Sequence, residues 1–224
     1  MINRTSILTI RFENEILFKE IPAFRGAIIS KVPADITLFH NHIDDGLRYR
    51  YPLIQYKRIN GKAAIICIGD GTEAIGNFFA GADFNLNIGT RQENFSIEQV
   101  KAEQWIVQVW DNTFKYTIRK WLPFNSENYK EFSAMEGIVE KTAKLEKLLI
   151  GNILSMCTGL NVHLEKEISC KITDILDSKI YTFKGVKMQS FDVSFKSNVY
   201  LHDYLGIGKG VSHGFGVVKQ INNK

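Results

Sequence analysis

The chain has 224 residues, of which 45% are hydrophobic and 23% charged, with only four prolines, so a disordered, collagenous or low-complexity protein is excluded as the main account. Its 28 basic residues outnumber 24 acidic ones by only four. The longest apolar run, Ala63 to Ile68, is six residues, far below the roughly 18 that span a bilayer.

Ser6 to Phe12 alternates β-branched and polar residues and predicts a first strand. Leu17, Ile21, Phe24, Ile28 and Val32 then recur at helical spacing, with Pro22 suited to a first turn and Pro33 as a stop. Leu47 to Arg58 and Ala63 to Ile68 predict two strands joined by Asn60-Gly61, a dipeptide that accepts the positive φ angles of a tight hairpin turn. A short helix over Glu73 to Ala80 and a fourth strand over Phe84 to Ile88 complete a βαββαβ order, the ferredoxin-like plan also used by RNA-recognition (RRM-like) domains. A second round begins near residue 100. Ala102 to Trp110 and Thr113 to Trp121 predict a hairpin around Asp111-Asn112, followed by a long helix with Ile138, Thr142, Leu145, Leu149, Ile153 and Met156 on one stripe. Strands fit Glu167 to Ile172, Lys179 to Phe183, Lys187 to Phe195 and Phe215 to Gln220, with Val199 to Leu205 as the second helix. The expected fold is therefore α+β, two ferredoxin-like βαββαβ domains in tandem, residues 1–98 and 99–224.

Three segments carry chemistry. Gly206-Ile207-Gly208-Lys209-Gly210-Val211-Ser212-His213-Gly214-Phe215-Gly216 holds five glycines in eleven residues. Glycine lacks the Cβ that keeps a ligand off the backbone, so successive N–H groups can approach phosphate oxygens, with Lys209, Ser212 and His213 adding side-chain donors. A turn alone needs one or two glycines. A Rossmann fingerprint needs a strand before and a helix after, and a Walker loop needs G-K-[ST]; neither is present. In Phe39-His40-Asn41-His42-Ile43-Asp44-Asp45, extended backbone would project both imidazoles from one face. They read equally as a paired acid and base, as metal ligands completed by Asp44 or Asp45, or as polar loop residues. Downstream, Arg48, Tyr49, Arg50 and Tyr51 alternate, offering cations on one face and rings on the other, as sheets that stack bases do; an amphipathic strand with tyrosines in the core explains them as well.

Charge is uneven along the chain. Residues 166 to 224 carry nine lysines against five acids, while the rest balances, which permits an anionic partner and equally fits a solvated face. Cys67, Cys157 and Cys170 are odd in number without C-x-x-C spacing, so buried thiols are expected in place of disulfides or a cysteine zinc site. Arg11, Glu13 and Glu15 interrupt the stretch where a signal peptide is apolar, and a cytoplasmic protein is expected.

Together these motifs resemble the CRISPR-associated endoribonucleases of the sixth Cas family, which cut repeat transcripts into guide RNAs. The family carries two G-h-G triplets separated by five residues near the C-terminus, matched by Gly206-Ile207-Gly208 and Gly214-Phe215-Gly216. The stretch from His40 to Lys57 looks like the b-type branch. The resemblance implies two ferredoxin-like domains and RNA cleavage without metal or cofactor, leaving a 2′,3′-cyclic phosphate and a 5′-hydroxyl. It also implies catalysis by His40 and His42 with Tyr49 and Tyr51 as helpers. RNA is expected to be gripped by Arg48, Arg50 and the residues Gly206, Gly208, Lys209, Gly210, Ser212, His213, Gly214 and Gly216. Its expected partner is CRISPR repeat RNA, with other CRISPR effector subunits and a second copy as further candidates. A non-catalytic RNA-binding module and a metal hydrolase built on His40 and His42 are the competing classes.

Overall fold

The computed structural model describes residues 3–32, 37–40, 51–80 and 83–221; of His40 only the backbone is described. The chain divides into two compact units: Arg4–Trp105 joined by Ser212–Gly214, and residues 106–211 with 215–221 and Asn3.

In the N-terminal unit, β1 (Arg4–Glu15) leads through a 3-10 turn to α1 (Ile21–Ile29), which carries Pro22 in its first turn. After α2 (Thr37–His40), β2 (Ile54–Ile59) and β3 (Lys62–Ile68) form the expected hairpin. Asn60 and Gly61 turn it at φ 51° and 90°, the left-handed pair that matches strand twist. α3 (Gly71–Ala80), β4 (Asn85–Ile88), β5 (Arg91–Asn94) and β6 (Ile97–Ile106) follow. The main sheet runs β2-β3-β1-β6, the strand order of a βαββαβ unit. Ile10, Phe12, Phe24, Ile28, Tyr56, Ile65, Cys67, Ile75 and Phe78 fill one core between this sheet and the helices, each apolar side chain of that size contributing roughly 1.5–3 kcal/mol on burial.

Two expectations shift here. Phe84 to Ile88 is not the fourth sheet strand: Asn85–Ile88 pairs with β5 as a separate two-stranded ribbon. The fourth position belongs to β6, whose first six residues are exposed, so apolar alternation could not reveal it. The division between units accordingly falls after Trp105 and not at 98/99, because β6 hydrogen-bonds into the first sheet.

The C-terminal unit begins with β7 (Val109–Trp121), continues through α4 (Ser126–Ala134) and α5 (Ile138–Gly159), and pairs β8 (Cys170–Phe183) with β9 (Val186–Val199) before ending in β10 (Val217–Gln220). Its sheet runs β10-β7-β9-β8, again the βαββαβ order. Leu145, Leu149, Ile153 and Met156 of α5 are buried as the stripe predicts, while Ile138 is exposed. The expected hairpin of residues 102–110 and 113–121 does not form, since β6 and β7 lie in different sheets and Asp111-Asn112 falls inside β7. The strands expected at 167–172 and 179–183 are one strand, β8, aligned along its length with β9. No helix covers Val199 to Leu205: Tyr204 adopts φ 65°, its N–H donates to the Val218 carbonyl at 2.7 Å, and Gly206 bridges Val217, so the segment is drawn into extended pairing. Cys67, Cys157 and Cys170 are buried free thiols. Among the described residues no helix is long and apolar enough to cross a membrane.

Candidate functional site

The histidine segment is anchored from beneath. Phe39 is buried in the N-terminal core, and the Arg25 guanidinium of α1 donates from Nη2 to the Phe39 carbonyl at 3.3 Å, fixing the backbone directly before His40. Among the described residues, the buried Arg25 Nε and Tyr56 hydroxyl find no hydrogen-bond partner. Burial pushes the Tyr56 phenol well above its ordinary range, opposed by the Arg25 charge. His40 ends α2; His42, Asp44, Asp45, Arg48, Tyr49 and Arg50 lie outside the described residues. Among the described residues no group of three or more His, Cys, Asp or Glu side chains could hold a metal ion.

Tyr51 is the described member of the Arg-Tyr run. Gln55 Nε2 donates to its hydroxyl at 2.9 Å and to the Pro52 carbonyl at 3.0 Å, so a fully buried amide orients the phenol. Two positions on, Lys57 is also fully buried, and burial lowers its ammonium to about 7 because a desolvated charge is disfavoured. Tyr51 precedes β2, on which Ile54 and Tyr56 enter the helix-side core while Gln55 and Lys57 are buried as well. Lys57, Gln55 and Arg25 were not singled out from sequence. Lys57 stands between Tyr56 and Arg58 in a strand whose aliphatic residues are only Ile54 and Ile59, so no apolar run marked it for burial.

The glycine-rich segment is a folded loop whose backbone is largely committed to the protein. Ile207 N–H donates to Gly216 O at 2.9 Å, Lys209 N–H to Leu122 O at 3.1 Å, Phe215 N–H to Gly210 O at 3.3 Å and Gly216 N–H to Lys120 O at 3.1 Å. Gly216 sits at φ 63°, and a β-carbon there would lie 1.8 Å from the Ile207 carbonyl oxygen; at Gly208, φ 92°, it would lie 2.8 Å from the Trp121 ring. Both glycines are therefore required by close packing within the chain, a reason that the expectation of phosphate-facing backbone had not included. Trp121 is in turn held by Nε1 donating to Asn152 Oδ1 at 2.9 Å. The Lys209 side chain is exposed. Ser212 Oγ and His213 Nδ1 lie 3.1 Å apart, and Ser212–Gly214 belong to the N-terminal unit.

Comparison with known proteins assigns both units. The Cas6b N-terminal domain profile matches residues 3–105 and the Cas6b C-terminal domain profile residues 108–221. The chain belongs to the Cas6b family. A crystal structure of Cas6b superposes with a TM-score of 0.86 at 28% identity, covering 98% of this chain and all of that one. A crystal structure of a CRISPR RNA processing endoribonuclease Cas6b gives a TM-score of 0.72 at 26% identity over the same shares. The uncharacterized protein MJ0978 of Methanocaldococcus jannaschii is 36% identical over 124 residues, 55% of this chain and 82% of its own. Within the Cas6b family framework, the histidine segment falls in the N-terminal domain match and the glycine-rich loop in the C-terminal one. The b-type resemblance of the His40 to Lys57 stretch and the wider family resemblance of the glycine-rich loop thus agree with the assignment of the whole chain.

Proposed function

We propose that this Cas6b chain is an endoribonuclease that cuts CRISPR repeat transcripts into guide RNAs. The observation that carries it is the match of both units to the two Cas6b domains, with the solved relative described as a CRISPR RNA processing endoribonuclease spanning the whole fold.

The chemistry is an intramolecular transesterification that needs no metal. The ribose 2′-oxygen is tethered beside its own phosphate, so the protein has to set it in line, take its proton and protonate the departing 5′-oxygen. Histidine suits both transfers, its unperturbed pKa of about 6.5 lying near neutrality. His40 is assigned as general base and His42 as acid or stabiliser of the phosphorane. Tyr51, whose hydroxyl is oriented by Gln55, and Tyr49 orient the 2′-oxygen or the developing charge. Arg48, Arg50 and Lys209 hold phosphates, with Gly206 to Gly216 shaping the surface that carries Lys209. The products are a 2′,3′-cyclic phosphate and a 5′-hydroxyl.

A repeat RNA incubated with the protein in EDTA tests this directly. Cleavage yielding cyclic-phosphate ends is expected, and a substrate with 2′-deoxyribose before the scissile bond should bind without being cut. Cleavage of the deoxy substrate at the same bond, or loss of activity in chelator, would instead place the protein among metal hydrolases; binding without cleavage of either RNA would make it a binding module.

A further inference from the structure

The C-terminal unit contains a helix that the βαββαβ plan does not require. α4 is inserted between β7 and α5, and Phe132 is its one buried residue. Its start is fixed by Asn125, whose side-chain oxygen accepts from Asn128 N–H at 2.7 Å. Between this first turn, the beginning of β9 and the glycine-rich loop lies a pocket of about 110 Å³ lined by, among others, Phe124, Ser126, Tyr129, Lys187 and Lys209.

The lining combines a flat ring with two cations. Tyr129 is 46% exposed, yet its ring is backed by Phe124 at 5.7 Å. Phe124 is wedged by Phe132 at 4.8 Å and Phe191 at 5.9 Å. An exposed ring with a rigid back is a stacking platform that loses little freedom when a planar group settles on it. Lys187 and Lys209 are exposed. Neither joins an ion pair among the described residues, whereas Lys144, Lys166, Lys171 and Lys179 of the same unit each hold a carboxylate. A free phosphate would engage only the lysines and an uncharged aromatic only the ring. A nucleotide uses both, and only an unpaired one offers its base face.

We propose that this pocket is a subsite for one unpaired nucleotide of the bound RNA, its base stacked on Tyr129 and its phosphate held between Lys187 and Lys209. The inference rests on the RNA-processing function above and extends it to a surface remote in sequence from the histidine segment.

Labelled repeat RNA titrated across a salt series tests it. Tyr129→Ala should weaken binding about tenfold, the loss of one base-aromatic stack, and Tyr129→Phe should restore it. Lys187→Ala should lower the slope of log K against log salt by about 0.7, the value for one phosphate of a single strand. Repeat RNAs bearing 4-thiouridine at single-stranded positions should photocrosslink to the peptide containing Tyr129. If the unaltered protein binds and cuts repeat RNA while Tyr129→Ala binds as tightly, or if Tyr129→Phe is as weak as Tyr129→Ala, the subsite is wrong and the function stands. If the unaltered protein binds no repeat RNA, both fall together.

Discussion

In the N-terminal unit the chain leaves the third strand of its βαββαβ order through the helix α3, whereas in the C-terminal unit the passage from Val199 to Val217 is an irregular loop. Both sheets nevertheless keep the same strand order. The helix satisfies its own backbone and buries Ala74, Ile75 and Phe78 as a stripe. The loop buries Leu201, Leu205, Ile207 and Val211 instead, and its N–H groups need partners from β7, β10 and itself. One slot, filled two ways, teaches that sheet pairing sets the plan while the crossover is free to vary. A loop in that slot, however, is far less tolerant of side chains than a helix.

The largest expected effect separates the units by role. Replacing both His40 and His42 with alanine should lower the cleavage rate by about 10³-fold or more, given that each proton transfer is typically worth 10²–10⁴, while RNA affinity changes little. Single-turnover cleavage and equilibrium binding check it; wild-type cleavage by the double variant would move the chemistry elsewhere in the chain.

Next comes the loop itself. Gly216→Ala should destabilise the protein by at least about 3 kcal/mol, combining a left-handed backbone with a collision against the Ile207 carbonyl. A urea midpoint unchanged from wild type would mean that the loop yields where the geometry shows it closed.

Lys57 sharpens the comparison from within the N-terminal sheet. Its folded value of about 7 lies below the ordinary 10.5, so between those pH values the unfolded chain binds the extra proton and folding gains from rising pH. The cost of burying the charge is fully present below about 7 and is relieved towards 10.5. Relative to Lys57→Met, wild type should therefore gain about 1.4 kcal/mol per pH unit across that window. Denaturation at several pH values reads this difference, and a flat one would show that the amine is charged when folded.

The smallest effect is the counterpart of Gly216 in the helix-filled slot. Among the described residues a β-carbon on Gly76 of α3 meets nothing within 4 Å, so Gly76→Ala should stabilise by about 1 kcal/mol through helix propensity. Destabilisation there would reveal packing on α3 that the structure does not contain.

Features written in neighbouring residues were legible before any fold was known. Asn60-Gly61 demanded left-handed φ angles and formed the hairpin; the α5 stripe at helical spacing formed its helix; the doubled G-h-G and the His-x-His segment marked the family. Each depends on backbone preference or periodicity within a few turns of chain, which pairwise neighbours encode. Tertiary structure decided the rest. β6 is a polar edge strand whose place is set by hydrogen bonds to β1, which leave no apolar pattern. Val199 to Leu205 has helical spacing, but the pairing of Tyr204 and Gly206 with β10 outcompetes a short helix that must nucleate alone. The titration of Lys57, the anchoring of Phe39 by Arg25 and the tight fit of Gly208 against Trp121 join residues distant in sequence, because desolvation and steric contact depend on what surrounds an atom in space and not on what precedes it in the chain.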